Sequence, residues 1–140
     1  MDFSHVNYVA VMLAAGASFA FGGLWYGALS KQWMAAAGLE PEDIKPPNGP
    51  VLAPYISTFV AELVMAFVLA AAIREIVDAD VTVAAGMQAG ILIWLGFVLT
   101  SLIVNHAFQG TKKALTLIDG GHWLGVLLLQ GAVLGGFGMN

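Results

Sequence analysis

The sequence contains no cysteine. That absence excludes disulfides, thiolate catalysis and Cys-ligated zinc, and it leaves the compartment unreadable from redox chemistry. Charge is the next scarcity. Asp, Glu, Lys and Arg make up 10% of the chain, where a soluble domain carries roughly 25%. A water-soluble helical bundle is excluded on that ground, because its outer faces need Lys and Glu. Basic character is missing as well. The net charge is −4, so no nucleic-acid partner is expected. Proline occurs only at Pro41, Pro46, Pro47, Pro50 and Pro54; Pro54 opens the second long apolar run and none lies deeper in one. No G-x-S-x-G, no P-loop and no G-x-G-x-x-G after a strand is found. No catalytic residue and no cofactor is therefore assigned, and an enzyme is not the expected reading.

What is present is apolar sequence in long runs: 59% of the 140 residues are hydrophobic. A helix crossing a bilayer needs about 20 mostly apolar residues. Four runs qualify, near 8–29, 53–77, 81–108 and 114–139. No Lys or Arg precedes the first run, and it is as long as a span, so it is read as retained rather than as a signal peptide. Asp78-Ala79-Asp80 and the stretch 109–113 are tight turns, which make their flanking helices antiparallel neighbours. The connection 30–52 is long, and its prolines exclude a single helix. Its opening, 30–37, sets Trp33 and Met34 beside Lys31 and Gln32, the composition of a short helix lying in the interface. The expected fold is all-α: one membrane domain over 1–140, an antiparallel bundle of four transmembrane helices with a short interfacial helix after the first span.

Lys31, Lys45, Lys112 and Lys113 fall on the side of the long loop and the third turn, and Arg74 alone on the other. The positive-inside rule places those two loops in the cytoplasm and both termini outside. Glycines recur at packing intervals. Gly16, Ala20, Gly23 and Gly27 share a face of helix one, Gly86 and Gly90 pair in helix three, and Gly121/Gly125 and Gly131/Gly135 pair in helix four. Small residues so spaced let helix backbones approach closely in lipid. Self-association through the glycine faces of helices one and four is expected, giving a homo-oligomer or a place in a larger membrane complex.

Ionisable groups within spans are costly, roughly 2.5 kcal/mol or more at mid-span, and demand a reason. At about 1.5 Å of rise per residue, Glu62 lies roughly 12 Å from the cytoplasmic end of its helix, Asp119 roughly 9 Å and His122 roughly 13 Å; Asn105 and His106 lie roughly 4–6 Å in. These five form a polar layer in the cytoplasmic half, with Trp25 and Tyr26 at the same level. Three readings stay open for it. One is a structural hydrogen-bond network. Another is a proton or small-solute path. The third is a metal site of Glu62, His106, Asp119 and His122, for which the sequence lacks an H-x-x-H or H-E-x-x-H spacing, so no metal is assigned. Glu62 is expected to face the bundle interior near Asn105, His106, Asp119 or His122, carrying its proton or sharing one with a histidine. A structural or accessory membrane subunit leads among the functions. The alternative is an oligomeric small-solute or proton-coupled transporter or channel using the layer around Glu62 and Asp119.

The run Phe21-Gly22-Gly23-Leu24-Trp25-Tyr26, followed by Lys31-x-Trp33-Met34 and Gly38, resembles the opening of an uncharacterised family of small bacterial membrane proteins. Trp94-Leu95-Gly96-Phe97-Val98, Asn105-x-x-Phe108-x-Gly110, Leu117-Ile118-Asp119-x-Gly121 and Leu134-Gly135 continue the resemblance over nearly the whole chain. It implies four helices and a bacterial inner membrane, and it implies no activity. The family pattern has an aromatic such as Tyr where this chain has His122, which argues against His122 as an essential ligand.

Overall fold

The computed structural model describes residues 3–77 and 80–137. Asp78 and Ala79 of the second turn, and Met139 at the expected end of the fourth span, lie outside them. Four helices make up the fold: α1 Tyr8–Ala37, α2 Ala53–Val77, α3 Val83–Gln109 and α4 Lys113–Phe137, each long and apolar enough to cross a membrane. The protein is an all-α, four-span membrane bundle. Its ends follow local chemistry. The Asn7 side chain accepts from Ala10 N at 3.1 Å and opens α1, and Thr82 Oγ1 does the same for Ala85 N at 3.1 Å in α3; both are N-caps. Gly38 (φ 71°) and Gly110 (φ 66°) close α1 and α3 in the left-handed conformation that suits glycine. Pro54 sits in the first turn of α2, where a missing N–H costs nothing.

The interfacial helix expected over 30–37 is instead the last part of α1. Nothing between Ser30 and Ala37 breaks a helix, and the first residue able to cap one is Gly38. The 30 residues of α1 extend for about 45 Å, well beyond a hydrocarbon core of about 30 Å. One interruption breaks the regular helix. Trp94–Val98 of α3 form a π-helical turn, in which Leu99 N–H reaches Trp94 O. Such a turn frees carbonyls that a regular helix would use. Two hydroxyls cover them: Thr100 Oγ1 donates to Gly96 O (2.9 Å) and Ser101 Oγ to Phe97 O (2.6 Å). Ser101 is thereby occupied with its own helix rather than with a polar layer.

α4 is the axis of the bundle and packs antiparallel against α1 and α3. It achieves this with two sets of glycines. A Cβ at Gly86 would fall on the Gly131 carbonyl and one at Gly131 on the Gly86 carbonyl, while one at Gly135 would meet Thr82 O. The α3 and α4 backbones are therefore in direct contact. Towards α1, Gly121 seats the Trp25 ring and Gly125 the Phe21 ring. The glycine pairs of α4 are thus filled by the chain's own helices, which corrects the expectation that they drive self-association. On α1 the opposite holds: Gly16, Gly23 and Gly27 have nothing within 4 Å of a notional Cβ, and Gly16, Ala20, Gly23 and Gly27 are all exposed.

The hydrophobic core occupies the half of the bundle near the chain termini. Val6, Ala10, Val11 and Ala14 of α1 meet Ala66, Leu69, Ala70 and Ile73 of α2, with Ala85 and Ala89 of α3 and Leu127 and Leu134 of α4. Small side chains bring the helices close. The half near the 38–52 loop is built from larger and more polar groups.

Candidate functional site

At the boundary between the two halves sits a buried triad. Glu62 has no exposed surface, and neither do Ser18 and Gln130. Ser18 Oγ lies 2.6 Å from Glu62 Oε2 and donates to it; Ala15 O is a second acceptor for the same hydroxyl at 3.1 Å. Gln130 Nε2 donates to Ser18 Oγ at 3.0 Å and to the Glu62 main-chain carbonyl at 3.1 Å. Three helices are thus tied at one level. The two remaining oxygens, Glu62 Oε1 and Gln130 Oε1, are buried and have no hydrogen-bond partner. A buried polar atom left unbonded costs about 1–3 kcal/mol, so two together mark a place where the interior is incomplete as a purely structural network.

Glu62 therefore meets α1 and the far part of α4, not Asn105, His106, Asp119 or His122. Depth counted along each helix from its own end is not a common scale here. α1 runs on to Ala37, so helix ends in this bundle do not mark a common plane. Ser18 and Gln130 lie farther from the loop-side ends of their own helices than Glu62 does, so depth alone does not bring the three together. Both could have been found by asking which other polar side chains in the spans lacked a partner.

Asp119 anchors a second cluster nearer the loop. Its Oδ1 accepts from Tyr26 O–H (2.8 Å) and Trp33 Nε1 (3.1 Å), and its Oδ2 lies 3.6 Å from His106 Nε2. His106 Nδ1 is 2.9 Å from Thr116 Oγ1. Two further indoles reach α4 carbonyls: Trp25 Nε1 donates to Ile118 O (3.1 Å) and Trp94 Nε1 to Gly120 O (2.8 Å). Each carbonyl has a second lone pair beyond its helix bond. Tyr26 and Trp33 fix the extended end of α1 to α4. Asn105 is exposed and belongs to neither cluster, because the face of α3 that meets α4 there is the one carrying His106.

His122 stands between the clusters, 4% exposed. Its ring packs against Tyr26 (centroids 4.7 Å apart), Trp123 (4.8 Å) and Phe21 (6.1 Å). Gly22 makes room for it: a Cβ there would stand 2.9 Å from His122 Nε2. His122 Nδ1 is buried without a partner. The expected layer of five thus resolves into separate sites. Among the described residues, no three His, Asp or Glu side chains gather where one ion would reach them, so the residues of the metal reading are divided between clusters.

A cavity of about 870 Å³ opens between α1, α2 and α4 in the loop half. Its aromatic walls are Phe19, Tyr26, Tyr55 and Trp123; Gly22, Gly23 and Gly27 leave the space on the α1 side. Ser57, Thr58, Glu62 and His122 supply its polar atoms. α3 contributes no wall. Glu62 and His122, each with one buried atom that lacks a hydrogen-bond partner, are thus lining residues of the same space. That is the arrangement of a pre-formed small-molecule site: apolar and aromatic walls with a few placed polar groups.

A family model described as "Protein of unknown function (DUF1761)" matches residues 9–135. Neither a curated protein nor a solved structure matches the chain.

Proposed function

The chain belongs to that family of unknown function, so its role has to be read from its own site, and we propose that it is a membrane-embedded binding or transport subunit that holds a small molecule in the cavity between α1, α2 and α4. One observation carries this: Glu62 and His122, each with a buried polar atom that lacks a hydrogen-bond partner, are both lining residues of one cavity. A structural network would close on itself, because interior polar groups are normally bonded. The cavity volume matches that of sites for drug-sized molecules, about 300–1,000 Å³. The test is a thermal-shift screen of small amphiphiles against the wild type and Gly23→Leu, purified in the same detergent. Gly23 lines the cavity and has open space at Cβ, so leucine there projects into the space an occupant would take. Compounds that stabilise the wild type and not Gly23→Leu support the reading, since a bound ligand raises stability by mass action. Identical responses of the two proteins to every compound refute it.

A second reading, a self-associating or accessory subunit, is favoured by the bare stripe Gly16, Ala20, Gly23 and Gly27 on α1, the one glycine face the chain does not fill itself. Native mass spectrometry from lipid nanodiscs tests it, and monomer alone would refute it. We further propose a bacterial inner-membrane location with both termini outside, on the Lys asymmetry. A reporter fused after Asn140 that signals from the cytoplasm would refute that orientation.

A further inference from the structure

The cavity's polar lining is rich in acceptors, with Tyr55 O–H, Trp123 Nε1–H and the His122 ring as its possible donors. Ser57 Oγ and Thr58 Oγ1 donate their hydrogens back to Pro54 O (3.0 and 2.7 Å), and Tyr26 donates its own to Asp119 (2.8 Å). Each hydroxyl has one hydrogen, so these three oxygens turn only lone pairs to an occupant. Glu62 Oε1 likewise accepts. No Lys or Arg lines the space, and Glu62 is its sole carboxyl. An anionic head group would face the Glu62 carboxyl with no Lys or Arg to offset the repulsion, and only neutral donors to meet it. A neutral hydroxyl would find one partner and leave the carboxyl uncompensated. A cationic head bearing N–H groups satisfies several acceptors together and balances the carboxylate in a low-dielectric setting where charge is costly unless paired. The walls fit the same ligand, because Phe19, Tyr26, Tyr55 and Trp123 offer ring faces that attract a cation and cover an apolar body. Glu62 has no exposed surface, but its carboxyl turns about a soft terminal torsion. A head group in the cavity can take Oε1 while Oε2 keeps Ser18.

We propose that the cavity selects amphipathic organic cations, an aromatic or aliphatic body carrying a protonated amine, with Glu62 as the counter-ion. This rests on the reading of the cavity as a binding site and names the ligand class for it. The probes are three molecules sharing one ring system: 1-naphthylmethylamine, 1-naphthalenemethanol and 1-naphthoate. Binding is measured calorimetrically to the protein in zwitterionic-lipid nanodiscs, with empty nanodiscs subtracted. The ammonium should bind about tenfold or more tightly than the alcohol, and the carboxylate weakest. Glu62→Gln, which keeps the side chain's shape, should lose about tenfold or more of the ammonium affinity and leave the alcohol unchanged. Glu62→Asp should retain part of the preference for the ammonium. Equal binding of ammonium and alcohol, or an ammonium affinity untouched by Glu62→Gln, overturns the cation assignment. In that case the cavity reading stands only if Gly23→Leu abolishes binding of both probes. If Gly23→Leu binds them as the wild type does, or if none of the three binds the wild type, the cavity reading falls and the cation assignment with it.

Discussion

The two halves of the bundle are packed by opposite rules. Near the termini, alanines and glycines bring backbones together: Gly86 against Gly131, Gly135 against Thr82, and Ala10 and Ala14 sealed beside Ala66 and Ala70. Near the loop the helices are held apart by rings and tied by hydrogen bonds of indoles and a phenol to α4. Small residues leave no space and tolerate no addition. Large residues reaching across a gap leave the space they bridge, and the cavity lies there. The lesson is that one membrane bundle can be close-packed at one end and hollow at the other. Residue size divides the labour.

Substitutions should divide along the same line. The largest effect is expected at Gly131→Leu, which drives a side chain into the α3 backbone. We expect a loss of about 4 kcal/mol or more, the range of severe overpacking, measured by denaturant unfolding in mixed micelles. A mild result would show that the two helices separate easily and would remove the contrast between the halves. At the boundary, Glu62→Leu should cost about 1–3 kcal/mol by removing the carboxyl that the buried Ser18 hydroxyl bonds, whereas Glu62→Gln should cost less, since the amide keeps a donor and an acceptor. A Glu62→Leu protein more stable than the wild type would show that the triad does not bind the helices together. In the loop half, Tyr26→Phe removes one of the donors to Asp119 and should cost about 1 kcal/mol, with Trp33 still bonded; no change in unfolding would mean that the end of α1 is held by Trp33 alone. The smallest effect is expected at Gly27→Leu, within about 0.5 kcal/mol, because open space surrounds its Cβ. A severe loss there would mean that the cavity is closed in the folded protein.

The four spans were legible because length and apolarity suffice for them. The end of α1 was not. Trp33 beside Lys31 has the composition of an interfacial helix, and only contact with Asp119 shows that the segment continues straight and docks. The π-helical turn at Trp94–Val98 leaves no mark in composition, for Gly96 and Phe97 are ordinary in either helix. Glycine spacing disclosed that helices approach closely and left open which ones. Gly86 and Gly131 proved to serve each other, a fact that depends on helix rotation. The polar layer was legible as a set of residues and not as a set of pairs: Asp119 with His106 is a neighbour relation across the tight 109–113 turn, while Ser18 with Glu62 and Gln130 joins three helices whose ends are out of step.

The tryptophans give the bundle a built-in optical asymmetry. All four, Trp25, Trp33, Trp94 and Trp123, belong to the loop half or its boundary, and three of their ring nitrogens are engaged with α4. Intrinsic fluorescence consequently weighs the loop end of the molecule most, with Trp94 alone packed against the core of the other end. Far-ultraviolet circular dichroism weighs every helical turn alike. If the hollow end loosens before the glycine-packed end, emission will change ahead of the dichroism signal on heating, and the lag between the two curves will measure how independently the two ends melt.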